Sequence, residues 1–184
     1  MIQLSKNIRT LLGRYRFVKD MKKAERNPDI ISFDDAASIG ILYEATDERN
    51  SDSIKNYVKS TRGTSKKDIL AMGFVDKKSF HPGQYAQFGL DFFNRKDLNF
   101  QMIPSNPIIT NFINEPFDIL INVATEKCFP LHYITVMSKA KFKVGIYSSS
   151  GTKNYDMMVQ LDREAGLKVI LGQIEHFLRQ IKKS

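Results

Sequence analysis

A strand–helix–strand pattern begins at residue 38. Ser38–Glu44 and Asp68–Val75 are apolar enough to be buried strands. Between them, Ser51 or Asp52 is placed to cap a helix that runs to residue 61, and Gly63 suits the left-handed residue that ends such a helix. A unit of this length joins two parallel strands through a crossover helix.

The same pattern returns later in the chain. Residues 117–124 and 141–148 have the composition of strands, and a helix-like stretch over 130–140 lies between them. Two independent crossover units need a parallel sheet that is covered by helices. The sequence therefore predicts an α/β fold, a Rossmann-like three-layer sandwich with a mainly parallel sheet of five or six strands. Parallel sheets bind ligands at the carboxyl ends of their strands, so a site is expected there.

The segment between the two units is rich in proline and aromatic residues, which suit core packing better than base stacking. We expect strands over 86–92 and 98–102, whereas 108–113 fits a short helix and a strand equally well. Residues 155–161 are expected to form an edge strand. The last helix has the clearest pattern, because apolar residues recur at helical spacing from Leu167 to Ile181.

Residues 1–27 are expected to form a basic helix, and residues 28–184 a single α/β domain. Ser5 can cap a helix that runs to Ala24, and Asn27-Pro28 ends it. The helix is expected either to pack on the edge of the domain or to project as an arm. Its apolar residues recur at helical spacing and form one face: Ile8, Leu11, Leu12, Tyr15 and Val18.

The charge of the chain points to a partner. The sequence has 28 Lys and Arg residues against 20 Asp and Glu, a net charge of +8, and the N-terminal helix is strongly basic. Basic side chains bind polyanions by releasing counterions from phosphates. We therefore expect a non-enzymatic protein that binds RNA or a ribonucleoprotein surface through its basic helix, with a solubilising face as the alternative. A membrane surface is not the expected partner, although the sequence leaves open whether the helix meets RNA, anionic lipid or an acidic protein. The contact residues would be Arg9, Arg14, Arg16, Lys19, Lys22 and Lys23.

The alternative function is a small-molecule site for a phosphate, a nucleotide or a sugar phosphate at the carboxyl ends of the strands. Two loops offer suitable groups, although loops of this composition are also common as solvated turns. The loop after the strand at 38–44 contains Thr46 and Ser51. The loop after the strand at 141–148 combines hydroxyls with a glycine and a lysine: Ser148, Ser149, Ser150, Gly151, Thr152 and Lys153.

Catalytic chemistry has little support in the sequence. Asn122, Thr125, Glu126 and His132 surround one strand end, and the acid and the histidine could exchange a proton if they met in space. His81 is widely separated from the other histidines, so no set of metal ligands is evident. Cys128 precedes a helix, where a thiol pKa is lowered, but a lone cysteine is more often a core residue. We predict no catalytic residue, no metal and no cofactor, and leave open whether the protein is an enzyme.

One segment resembles a known family. Phe117-Asp-Ile-Leu-Ile-Asn122 followed by Ser138-Lys-Ala-Lys-Phe-Lys-Val-Gly145 is similar to part of the N-terminal domain of heptosyltransferase-type glycosyltransferases. There, a strand that ends near an acid is followed by a helix and by a strand of the form alanine-basic-x-basic-x-glycine. The whole chain also resembles small uncharacterised bacterial α/β proteins, which implies no chemistry. With one cysteine and no secretion signal, a cytoplasmic protein is expected.

Overall fold

The structure is a computed structural model that describes residues 6–21, 26–87, 89–125, 127–148 and 152–182. In these parts of the chain six strands form one sheet, and all neighbouring strands are parallel. Their order across the sheet is β3-β2-β1-β4-β5-β6. The strands are β1 (Ser38–Glu44), β2 (Asp68–Val75), β3 (Leu90–Asn94), β4 (Ile119–Asn122), β5 (Phe142–Ile146) and β6 (Met157–Val159). The predicted Rossmann-like α/β fold is confirmed.

Helices cover both faces of this sheet. They are α1 (Lys6–Met21), α2 (Glu48–Ser65), α3 (Pro107–Asn114), α4 (Phe129–Met137) and α5 (Leu167–Arg179). α2 and α5 pack on one face, in a core that includes Ile54, Ile121 and Leu171. α3 and α4 pack on the other face, and α1 contacts α4. No helix among the described residues is long and apolar enough to cross a membrane.

The first crossover helix starts earlier than predicted. α2 begins at Glu48 and is capped by Asp47, whose carboxylate accepts a hydrogen bond from the backbone N–H of Arg49 at 3.0 Å. Ser51 and Asp52, which were expected at the cap, lie in the first turns of the helix. The acid of the cap therefore occupies the helix end to which an anion would otherwise be attracted.

The same helix also ends later than predicted. Gly63 lies inside α2, which continues to Ser65. The hydroxyls of Thr64 and Ser65 donate to carbonyl groups one turn earlier, as such side chains do within a helix. The left-handed residue that ends the helix is Lys66, with a φ of 54°. The glycine was therefore a misleading stop signal.

The described residues of the segment between the crossover units form one strand, one short 3-10 helix (Arg95–Asp97) and one α-helix. β3 starts at Leu90, later than the expected strand over 86–92. Residues 98–102 form no strand, because the Asn99 side chain accepts hydrogen bonds from two following N–H groups and turns the chain. Residues 107–114 form α3, which is capped by Asn106.

Charged groups at the amino-terminal edge of the sheet form hydrogen bonds that link the starts of neighbouring strands. The carboxylate of Asp118 accepts hydrogen bonds from two backbone N–H groups at the start of β1 and from Lys141 Nζ. Although partial burial by itself raises the pKa of Asp118, these donors lower it overall. Asp156 accepts hydrogen bonds from the Arg26 guanidinium and from the N–H of Lys143 in the same way. The carboxylates of Asp118 and Asp156 therefore have a structural role at this edge.

Candidate functional site

The strand order creates a crevice at the opposite, carboxyl-terminal edge of the sheet. β1 and β4 are adjacent and parallel. The helix that follows β1 packs on one face of the sheet, whereas the helix that follows β4 packs on the other. The chain therefore leaves these two strand ends in opposite directions. Ligands of open parallel sheets bind in the crevice at such a topological switch point.

Glu44, the last residue of β1, bridges this crevice. Its Oε1 atom accepts a hydrogen bond from the backbone N–H of Thr125, just after β4, at 2.7 Å. Its main-chain carbonyl accepts a hydrogen bond from Asn50 Nδ2 at 3.0 Å. Two cavities lie beside the bridge, and both are lined by Glu44 and Thr125.

The first cavity lies on the α4 side of the bridge and has a volume of about 290 Å³. Phe74 and Phe129 contribute apolar walls, and Asp76 and Lys127 contribute charge. Asp76 accepts a hydrogen bond from Arg95 Nε at 2.6 Å. Although the chain carries a net charge of +8, the charged groups that line this cavity are two carboxylates and one ammonium group.

The second cavity lies on the α5 side and has a volume of about 220 Å³. Its walls are mainly apolar and include Val123, Ile146 and Ile170. Gly166 and Leu167 at the start of α5 complete it, and no side chain caps this helix start. The backbone N–H groups of an uncapped first turn can donate hydrogen bonds to a ligand.

The helix ends after β1 and β4 are poorly suited to a phosphate. The loop after β1 has no glycine that would let the backbone approach a pyrophosphate, and Asp47 caps α2. At the start of α4, the N–H groups of Cys128 and Phe129 already donate to carbonyl groups in the preceding turn, and Pro130 has no N–H. A dinucleotide is therefore not the ligand that this crevice favours.

The ligand-binding residues predicted from the sequence do not converge on the crevice. The Thr46 hydroxyl accepts a hydrogen bond from the Asp76 N–H at 2.8 Å and ties the loop to the end of β2. Ser51 lies on α2 with its hydroxyl buried. Ser148 and Lys153 follow β5, which is separated from β1 by β4. The two predicted loops are therefore not adjacent.

The loop after β5 is described only in part. Ser149, Ser150 and Gly151 lie outside the described residues, and Thr152 begins a short 3-10 helix. The hydroxyl of Ser148 is buried and has no hydrogen-bond partner among the described residues. Ligand binding by this loop stays a prediction.

The basic residues predicted to bind RNA are also only partly described. Arg16 and Lys19 are exposed on α1. Arg9 and Arg14 belong to the same helix, but their side chains lie outside the described part, as do Lys22 and Lys23 altogether. The RNA contact stays a prediction.

The polar groups near the end of β4 are largely engaged with one another. Asn122 Nδ2 donates to Thr135 Oγ1 and to the Tyr155 hydroxyl, both at 2.9 Å. The His132 ring lies 3.3 Å from Asn154 Nδ2. Glu126 is outside the described residues, so its pairing with His132 stays untested. Among the residues that are described, no group of three His, Cys, Asp or Glu could hold a metal ion.

Glu44 and Lys127 are site residues that the sequence pattern does not single out. The signal was an acid at the end of an otherwise apolar strand, Ser38–Glu44, but such an acid is also common at solvated strand ends. Glu44 becomes a site residue because β1 lies beside β4 in the sheet. This adjacency follows from the strand order, which the sequence pattern does not reveal.

Comparisons with known proteins place the chain in a family but do not reveal its activity. Structures of homoserine dehydrogenase from S. aureus, determined at pH 6.0 and pH 7.0, match with TM-scores of 0.34 and 0.33 and identities of 14% and 15%. The matches cover 78% of this chain but only 30% of each dehydrogenase chain, and similarity this low supports no inference about function. No curated protein matches. A family of unknown function (DUF6913) matches residues 9–181, and the chain therefore belongs to this family.

Proposed function

We propose that the protein binds a small polar molecule in the crevice between the carboxyl ends of β1 and β4. The observation that carries this proposal is the position of Glu44, whose side chain lies at the switch point and lines the cavities on both sides of it. A carboxylate placed where parallel sheets bind their ligands is a natural anchor for hydrogen-bond donors.

The charge of the crevice favours a neutral or cationic ligand. An ionised carboxylate only accepts hydrogen bonds, and it has about four lone-pair sites, of which the Thr125 N–H uses one. Hydroxyl or ammonium groups of a ligand can use the others. Asp76, whose charge is paired with Arg95, adds a second carboxylate acceptor to the first cavity, and Phe74 and Phe129 offer apolar surface to the rest of the ligand. Sugars, nucleosides and amines have this chemistry, whereas phosphorylated ligands would meet like charge.

A thermal-shift screen tests the proposal. The probes are ribose, adenosine, ethanolamine and lysine, each beside its phosphorylated or acidic counterpart: ribose 5-phosphate, adenosine monophosphate, phosphoethanolamine and glutamate. We expect at least one neutral or cationic probe to raise the unfolding midpoint by more than its counterpart does. Glu44→Gln keeps an acceptor for the Thr125 N–H but lacks the charge, and should lose this shift.

The matched control is Glu115→Gln, which removes the charge of an exposed glutamate at the end of α3, outside the lining of the two cavities. It should respond to the probes as the wild type does. A larger shift with the phosphorylated probes, or an equal shift in the Glu44→Gln protein, would contradict the assignment of Glu44 as the anchor.

A further inference from the structure

α1 presents an apolar face to solvent. The five residues whose spacing defines this face, which we call the apolar arc, are all exposed, and Tyr15 and Leu11 expose 80% and 67% of their surface. At 100° per residue, the five positions fall within an arc of about 120° on the helix. The members of the arc are Ile8, Leu11, Leu12, Tyr15 and Val18. At the same spacing Lys19 also falls within this arc, so the exposed apolar patch includes one cation. An exposed apolar patch of this kind indicates an interaction surface.

The opposite side of α1 holds the helix on the domain. Phe17 is buried, and its ring centroid lies 6.0 Å from that of Phe129 and 5.7 Å from that of Tyr133. Gly13 allows the helix backbone to approach the neighbouring loop, because a Cβ atom there would collide with the carbonyl oxygen of Gln101. These contacts set the rotation of α1 about its own axis and direct the apolar arc away from the domain.

Positive charge accompanies the apolar arc. Arg16 and Lys19 are exposed on the same helix, and its first turn contains no acid. Over its 16 residues α1 has a single acid, Asp20, against five basic residues. The surface is therefore both apolar and cationic, and its complement is a surface that is both apolar and anionic.

We propose that α1 docks on an anionic lipid bilayer. An amphipathic helix of this kind lies in the plane of the interface, with its apolar side chains at the boundary between headgroups and acyl chains and its Lys and Arg residues near lipid phosphates. RNA would satisfy the cations but would leave Leu11 and Val18 exposed to water. A second copy would cover the apolar arc but would bring two basic helices together. The bilayer satisfies both properties of the surface.

Docking through α1 would also place the crevice near the bilayer. Phe129 packs against Phe17 of α1 and lines the first cavity. The proposal does not depend on ligand binding by Glu44, because the apolar arc and its charges lie outside the crevice.

Co-sedimentation with vesicles tests the proposal. The full chain is mixed with vesicles of phosphatidylcholine alone and with vesicles of phosphatidylcholine and phosphatidylglycerol in equal parts. We expect binding to the anionic vesicles that weakens as salt is raised. The double variant Leu11→Ser/Tyr15→Ser should bind the anionic vesicles at least about tenfold more weakly than the wild type, since each substitution removes apolar surface from the interface. Arg16→Gln/Lys19→Gln should weaken binding and reduce its salt dependence.

Matched controls change exposed residues of the same kind elsewhere on the domain. Ile30→Ser/Phe80→Ser removes two exposed apolar side chains outside α1, and Lys55→Gln/Lys59→Gln removes two exposed cations from α2. Both should bind vesicles as the wild type does, and circular dichroism should show that all variants are folded.

Three results would overturn the proposal. The first is no binding to anionic vesicles, or equal binding by the Leu11→Ser/Tyr15→Ser protein. The second is salt-sensitive binding to a structured RNA, measured by fluorescence anisotropy, without vesicle binding; this would favour the polyanion contact instead. The third is a dimer in sedimentation that the Leu11→Ser/Tyr15→Ser variant abolishes, again without vesicle binding; this would assign the apolar arc to a second copy.

Discussion

Replacing Phe33 with alanine is expected to lower the free energy of unfolding by about 3–5 kcal/mol. The ring is fully buried in the core beneath α5. Two cations lie against it, because Lys67 Nζ is 5.2 Å and Arg179 Cζ is 4.5 Å from the ring centroid. Alanine would leave a cavity and would also remove the cation–π partner of a buried lysine. The lost burial of apolar surface, the cavity and the lost cation–π contacts all lower the free energy of unfolding.

Urea denaturation at pH 7 measures this effect, with Phe80→Ala as the control. Phe80 is 42% exposed, and its truncation should change the free energy of unfolding by less than about 0.5 kcal/mol. Phe33 lies near the amino-terminal edge of the sheet, so the folded fraction of the Phe33→Ala protein should keep any ligand response of the crevice. A loss of less than about 1 kcal/mol would contradict the assignment of Phe33 to the core.

Replacing Lys143 with methionine is expected to raise the free energy of unfolding at pH 7 by about 1–3 kcal/mol. The side chain is buried on β5, and its ammonium group donates to the Val136 carbonyl at 2.9 Å. Burial, with the nearby Arg26, lowers the pKa of Lys143 from its ordinary value of 10.5 to about 8, while Asp156 opposes the shift. Holding the charge at pH 7 therefore costs stability. The loss of the hydrogen bond offsets part of the gain.

The same pKa predicts how the stability of the wild type depends on pH. The folded protein releases the Lys143 proton near pH 8, whereas the unfolded chain keeps it up to about pH 10.5. Between these values the unfolded state binds more protons, so stability rises with pH, by about 2 kcal/mol from pH 7 to pH 9.5. Burial also lowers the pKa of Lys67, which adds a rise of the same sign in both proteins. The difference between wild type and variant isolates Lys143.

Urea denaturation at pH 7 and at pH 9.5 gives this difference directly. Lys143→Met should be the more stable protein at pH 7, and its lead should shrink at pH 9.5. A methionine variant that is less stable than the wild type at pH 7 would show that the hydrogen bond to Val136 outweighs the cost of burying the charge.

Sequence patterns predict best the elements whose burial is uniform. β1 and β2 have the predicted bounds because both are apolar strands buried on both faces, where the pattern does not depend on partners. The apolar face predicted for α5 is also confirmed, since Ile170, Leu171 and Ile174 are buried. The predicted ends of α2 are wrong because they depend on capping contacts. The predicted start of β3 is wrong because it lies in a segment where many aromatic residues hide the alternation of apolar and polar positions.

The apolar face of α1 shows that a sequence pattern can identify a face but not the direction in which it points. The spacing of Leu11, Tyr15 and Val18 identified the face, but only the packing of Phe17 and Gly13 against the domain determines that it points outward. The family match confirms the resemblance to uncharacterised proteins, whereas the resemblance to glycosyltransferases stays a prediction.

The crevice depends on the order of the strands, which periodicity does not encode. Both crossover units were predicted, but their arrangement around β1 and β4 was not. Glu44 and Thr125 are 81 positions apart in sequence and meet only because these strands are neighbours. Of the two predicted ligand loops, the one with Thr46 and Ser51 follows β1 beside the crevice, whereas the one with Ser148 and Lys153 follows β5, one strand beyond β4.

An amide NMR titration would test the central claim, ligand binding at Glu44, most directly. The ¹⁵N-labelled protein is titrated with adenosine, ribose, ethanolamine and lysine in turn, and the amide of Thr125 is followed because it donates to the Glu44 carboxylate. We predict that a probe shifts the Thr125 and Lys127 amides with saturation, and that Glu44→Gln abolishes these shifts. Saturable shifts confined to residues away from the crevice, or no saturable shift with any of the four probes, would contradict the account.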